Sequence, residues 1–290
     1  MDGFLQSVLA GEAFLLFDGA MGTMLQRRGL AGGGPAELLC LSDPEAITDI
    51  HRAYVEAGSQ AVTTNTFGAN RLLLDGVARV DEVFEAAVAC ARKSGARFVA
   101  ADIGPTGELL DPLGDLEVEE AREVFGEMVD AAEAAGADLV IVETMADPQE
   151  AEAAVSAAKE RCSLPVFATM TFGNGGRTLF GTAPADAARL LEGAGADAVG
   201  VNCSLGPDSL GPIVDEIRAA TELPIIVQAN AGLPSVVGGE TVYSVDVESY
   251  VSAVAGLLDA GASIIGGCCG TDPDYIRALS AMLEGCSPRR

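Results

Sequence analysis

Short runs of Val, Ile, Leu and Ala recur along the chain, each followed by loop residues and then by an Ala-rich stretch of helical periodicity. The runs predict eight strands: residues 14–18, 61–66, 98–103, 139–144, 166–171, 198–203, 225–229 and 263–267. Each is separated from the next by enough chain for a helix. Three helices announce their starts with an Asp-Pro pair, at Asp43-Pro44, Asp147-Pro148 and Asp272-Pro273. The carboxylate caps free amides and the proline is pre-set for the first turn. Four helices end in Ala-Gly and pass straight into a strand, at Gly58, Gly136, Gly195 and Gly261. Eight such units predict an α/β fold, a single (β/α)8 TIM barrel forming one domain over residues 1–290. The rival is a doubly wound open sheet, but no nucleotide fingerprint and no pair of halves supports it. Gly32-Gly33-Gly34 and Gly173-Asn174-Gly175-Gly176 read as strand-exit loops rather than linkers.

The chemistry concentrates at the last strand. Cys268 and Cys269 are adjacent, follow an apolar run and lie between glycines. A disulfide between neighbours is strained, whereas flanking glycines let the backbone turn both sulfurs to one point. Cys203 ends an earlier run of the same kind, Ala198 to Ser204. Three thiolates at two strand ends suggest a soft metal, zinc, with its fourth position open. Cys40, Cys90, Cys162 and Cys286 lie in helical or loop segments and read as packing residues.

Asn202-Cys203-Ser204 followed by Gly266-Gly267-Cys268-Cys269-Gly270 resembles the zinc signature of the homocysteine S-methyltransferase family. Residues 17–23 resemble that family's first strand and loop. Thr64 to Phe67, Asp102 to Gly107, Glu143-Thr144 and Asn230 to Pro234 also resemble its signatures. The likeness runs from about Phe14 to Ile276 and is nearest the homocysteine-binding module of cobalamin-dependent methionine synthases. It implies homocysteine as substrate and methionine as product. Asp18 and Glu143 then hold the substrate's ammonium, or else cap a loop and a helix. The amides of Gly19 and Ala20 face the substrate carboxylate. Asn230 contacts substrate or zinc, or is a plain turn residue.

Composition narrows the field. The formal charge of -26, from 43 acidic and 17 basic residues, repels nucleic acid and anionic membranes. No apolar run reaches membrane-spanning length, and Met1 to Glu12 lacks the form of a signal peptide. Seven cysteines without a secreted spacing fit a reducing cytoplasm. His51 is the sole histidine and sits inside a predicted helix, which predicts a surface or packing role and argues against a Ser-His-Asp hydrolase. Neither Lys93 nor Lys159 falls on a predicted strand, against a Schiff-base aldolase. No phosphate-cradling GxxxxGK[ST] loop is present, and residues 173–176 read as a mobile loop rather than a phosphate site. A phosphate-binding barrel lyase and a non-catalytic, thiol-presenting module are the alternatives of other classes. After Thr271 the sequence predicts one helix, Pro273 to Leu283, too little for a folate or corrinoid module. The expected donor is therefore external: methylcobalamin, free or on a partner corrinoid protein. Betaine or S-methylmethionine is the corrinoid-independent alternative.

Overall fold

The computed structural model describes residues 2–30, 34–237 and 240–288. Gly32 and Gly33 lie outside the described residues. Among them, eight parallel strands form one sheet: β1 (Leu15–Leu16), β2 (Ala61–Thr63), β3 (Phe98–Ile103), β4 (Leu139–Met145), β5 (Val166–Met170), β6 (Ala198–Asn202), β7 (Ile225–Ala229) and, after a hairpin, β10 (Ala262–Gly267). The order β1-β10-β7-β6-β5-β4-β3-β2 runs around a barrel. Its seam is drawn shut where the Gln60 amide donates to the Leu16 carbonyl at 2.8 Å and Leu16 donates to the Gln60 side chain at 3.0 Å. The open doubly wound alternative is thereby excluded, and the fold is a (β/α)8 barrel.

The helices follow their sequence signals. α1 (Gly3–Leu9) precedes the barrel. α2 (Met21–Arg27), α3 (Leu39–Ser42) and α4 (Pro44–Glu56) lie between β1 and β2. Then come α5 (Val80–Lys93), α6 (Val118–Ala135), α7 (Pro148–Arg161), α8 (Pro184–Gly193), α9 (Gly211–Arg218), α10 (Val247–Asp259) and α11 (Pro273–Leu283). Asp43, Asp147 and Asp272 each accept a first-turn amide. All four Ala-Gly endings place their glycine at positive φ, between 86° at Gly136 and 108° at Gly58, as a left-handed stop requires.

Strands predicted to run to 18 and 66 stop earlier, at Leu16 and Thr63. Their last residues leave the ladder for side-chain contacts. Asp18 takes the Thr63 amide at 2.9 Å and the Thr63 hydroxyl at 3.0 Å, bridging the β1/β2 seam. One element escaped the sequence reading: an antiparallel hairpin of β8 (Pro234–Val237) and β9 (Glu240–Tyr243) after β7. Gly238-Gly239 between two β-branched runs is the signal that marks it.

The core has two shells. Leu15, Phe17, Phe98, Ala100, Leu139, Ile141, Phe167, Ala198, Ile226 and Ile264 fill the barrel interior, with Leu5 and Val8 of α1 packed into the same cluster. Their strand neighbours, such as Val99, Val140, Val199 and Ile265, belong to the larger cluster formed with the helices. Among the described residues no helix is long and apolar enough to cross a membrane.

His51 resolves to packing. It is fully buried on α4, and neither ring nitrogen has a hydrogen-bond partner. Burial lowers its pKa to about 4. The unfolded imidazole titrates near 6.5, so the unfolded chain binds the extra proton between those values. The contribution of neutral His51 is fully present above about pH 6.5 and is lost as pH falls toward 4. His51→Leu should reduce the loss of unfolding free energy between pH 7 and pH 4.5 by about 2–3 kcal/mol, read by urea denaturation. Equal losses in both chains would place the acid sensitivity elsewhere.

Candidate metal and substrate site

At the carboxyl ends of the strands a cavity of about 330 Å³ is lined by residues from distant parts of the sequence. Cys203, Cys268 and Cys269 face it together. Their sulfurs all lie within 4.8 Å of one another, and Cys203 Sγ to Cys269 Sγ is 3.9 Å. A tetrahedral ion with Zn–S bonds of about 2.3 Å requires sulfurs about 3.8 Å apart. The three thiols are free and partly exposed, so they fit zinc in number, spacing and chemistry.

The backbone holds this arrangement. Cys268 N–H donates to the Ala229 carbonyl at 2.8 Å, and Gly267 N–H to the Asp18 carbonyl at 2.9 Å. Thr271 then folds back, its hydroxyl donating to the Cys268 carbonyl at 2.7 Å. That return needs glycine at 267, where a Cβ would come within 2.3 Å of Thr271 Oγ1. Gly270 turns the chain with φ of 85°. Hydrogen bonds from Cys203 and Cys268, with a third from Tyr243 of β9, lower the Cys269 pKa to about 3.

Opposite the sulfurs stand carboxyl groups. Asp18 and Glu143 line the cavity as expected, joined by Asp102 and Glu37. Among the described residues, none lining it carries a positive charge. Burial raises Asp18 to about 7. Burial, then the nearby Cys203 and Asp18, raises Glu143 to about 8. Asp102 is pushed well above the carboxylate range by burial first and by Glu143 and Asp18 next. Its Oδ1 is buried without a partner. A cluster of desolvated acids with no internal cation is the complement of a ligand's ammonium group.

The remaining predicted residues sort differently. Gly19 and Ala20 both line the cavity. The Ala20 amide, however, donates to the Thr271 hydroxyl at 3.3 Å. Asn230 is buried, does not line the cavity, and has an unpartnered Oδ1. Its neighbour Ala231 donates to the Cys269 carbonyl at 2.9 Å. Cys40 and Cys90 are buried away from the trio, Cys162 is half-buried, and Cys286 is exposed. Sequence reasoning gave no site role to Asp102, Glu37, Gln228 and Tyr243. Asp102 was visible as a charge within the apolar run Phe98 to Ile103. Glu37 carries no such signal.

Comparison with known proteins agrees with this geometry. The sequence profile described as Homocysteine S-methyltransferase matches residues 15–283. The chain belongs to the homocysteine S-methyltransferase family. It is 32% identical over 301 residues to the methionine synthase of Mycobacterium leprae, and 33% identical over 308 residues to that of Mycobacterium tuberculosis. These alignments cover 95% and 98% of this chain but 25% of each relative, so the chain spans about a quarter of their length. Among solved structures, the metallated form of the homocysteine methyltransferase MmuM from Escherichia coli aligns with a TM-score of 0.79 at 25% identity. That match covers 96% of this chain and 99% of MmuM. The carboxyl transferase domain of Rhizobium etli pyruvate carboxylase, at 16% identity and TM-score 0.56, shares the fold.

Because the folded chain holds a proton on Asp102 that the unfolded chain gives up above about pH 4, this acid works against stability increasingly as pH rises. Asp102→Asn should therefore raise the urea midpoint of the ligand-free protein more at pH 8 than at pH 5. A midpoint lowered at both pH values would show a structural need for the carboxyl.

Proposed function

We propose that residues 1–290 act as one domain, a cytoplasmic, zinc-dependent homocysteine S-methyltransferase that forms methionine. The observation that carries this reading is the convergence, on one cavity, of three thiols at zinc spacing with a cluster of buried carboxyls. Cys203, Cys268 and Cys269 would hold the metal, and Asn230, with its orphaned oxygen, stands on the loop beside them. Zinc, when bound, would keep an incoming thiol as thiolate near neutral pH.

The chain's own residues do the rest. Asp18 and Glu143 take the substrate ammonium, with Asp102 adding negative charge behind them. An ammonium entering the pocket replaces the protons that burial keeps on these acids. Gly19 and the residues after it pass along the cavity wall, where the substrate carboxylate would lie. With both ends of the amino acid fixed, the sulfur is held for in-line attack. It attacks the methyl carbon, the bond from carbon to donor breaks with its electron pair left on the donor, and the thiol proton goes to solvent.

The donor we propose is methylcobalamin, free or on a partner corrinoid protein. Leu109, Leu113, Leu179 and Leu233 on strand-exit loops, with Val236 of the β8 hairpin, are exposed apolar groups after β3, β5 and β7, a surface suited to a macrocycle. Methyltetrahydrofolate carries its methyl on an amine, a poor leaving group, and should not serve directly. The match over 99% of MmuM, a chain of one such barrel named a homocysteine methyltransferase, keeps one second reading, an enzyme that needs no corrinoid partner and takes its methyl from a small donor such as betaine or S-methylmethionine. Mass spectrometry of the zinc-loaded protein with homocysteine and each donor alone decides between them. Methionine should form with methylcobalamin. Methionine from betaine or S-methylmethionine only would select the second reading, and binding without turnover on any donor would leave a thiol-presenting module.

Two sets of variants test the site. Cys268→Ser should lose zinc and turnover together; full retention of both would overturn the metal assignment. Asp18→Asn and Glu143→Gln should each weaken homocysteine binding by about 1.5–3 kcal/mol with zinc content unchanged. Calorimetry giving the parent affinity for both would return these carboxyls to a structural role.

A further inference from the structure

Glu143 does not sit in a regular strand. The β4/β5 register runs Val142 to Ala168 and then Met145 to Met170, so Glu143 and Thr144 form a bulge with one residue more than the facing strand. Bulges of this kind re-aim a side chain. Thr144 holds φ at 63°, in the left-handed region that a β-branched residue avoids. Something must hold it there, and the structure shows what does.

Asn202, fully buried at the end of β6, turns both ends of its side-chain amide to this point. Its Oδ1 accepts from the Thr144 amide at 2.8 Å and from the Thr169 hydroxyl at 2.8 Å. Its Nδ2 donates to the Thr144 hydroxyl at 2.8 Å. The next residue is Cys203, which itself adopts φ of 56°, followed by Ser204 at 59°. Cys203 is fixed from the other side, its amide donating to the Gln228 carbonyl at 3.0 Å. One side chain therefore ties the bulge carrying Glu143 to the backbone carrying Cys203.

We propose that Asn202 is a positioning residue that locks the Glu143–Thr144 bulge and so sets the separation between the ammonium-binding carboxylate and the three cysteine sulfurs that would hold the metal. That separation selects homocysteine over amino-acid thiols of other chain length, a role that rests on the functional reading above. Asn202 touches no substrate in this account and acts through Thr144. Cysteine, one methylene shorter, cannot reach both ends of a fixed site at once.

The test uses zinc-loaded protein and calorimetry with homocysteine and with cysteine. Asn202→Ala should keep the parent zinc content, bind homocysteine at least about tenfold more weakly, the scale of a lost charge-assisted hydrogen bond, and prefer it less over cysteine. Adding Thr144→Gly, which accepts positive φ without a lock, should restore most of the affinity. A purely structural role for Asn202 gives no reason for that rescue. Parent affinity and preference in Asn202→Ala, or a double variant as weak as the single, overturns the proposal. If Asn202→Ala alone does not fold, a double variant that folds and binds supports it, and one that fails to fold or to bind overturns it. If the parent chain itself does not bind homocysteine, the functional reading falls. Hydrogen exchange at the Thr144 amide then still decides whether the lock exists: it should quicken in Asn202→Ala, and an unchanged rate sinks the idea.

Discussion

In a closed parallel barrel, successive residues of a strand point alternately to the helices and to the axis. Four inward series climb from an apolar floor to a chemical group. Phe98 and Ala100 lead to Asp102, Leu139 and Ile141 to Glu143, Ile226 to Gln228, and Ile264 and Gly266 to Cys268. The lower layers are closed by large side chains, with α1 packed into the same cluster. Solvent and ligand therefore meet the interior at one end only. The site is the top layer of the core, and its polar groups are desolvated because the layers beneath them are packed.

That placement explains the electrostatics. Asp18, Asp102 and Glu143 are all raised, with burial as the leading cause in each. Unpaired acids in such a place cost stability, and a protein keeps them where a ligand later supplies the opposite charge. The thiols show the complementary arrangement. Three sulfurs converge so that hydrogen bonds from Cys203 and Cys268 favour the thiolate on Cys269. One wall of the cavity suits a cation and the other a soft metal, and an amino acid with a thiol spans both.

Backbone strain follows the same geography. Among the described residues, the three non-glycine positive-φ positions are Thr144, Cys203 and Ser204, at the cavity ends of β4 and β6, the two strands that flank β5. Conformations of this kind cost about 1–3 kcal/mol each and persist where the surroundings over-determine them. Here the surroundings are named hydrogen bonds, exchanged between Thr144 and the Asn202 amide and donated by Cys203 to the Gln228 carbonyl. The rest of the barrel is regular enough to carry them.

Much of this was legible in the chain. Short apolar runs, Asp-Pro starts and Ala-Gly stops are local signals, and local physics fixes what they mean: a cap needs its next three residues, and a left-handed stop needs only glycine. They gave the strand count, the barrel and the end of α11 at Leu283. The paired cysteines and Cys203 marked the thiol trio that the structure brings together, because few other roles suit adjacent thiols between glycines. What the sequence could not give depends on distance across the barrel. Asp102 reads as one acid in an apolar strand until closure brings it beside Glu143 and Asp18. The Ala20 amide looked available until Thr271, 251 residues away, accepted it. His51 became a core residue only when neighbouring helices packed against α4. Local pattern chose the elements; partners, burial and strain were decided by which strand ends the closed sheet set side by side.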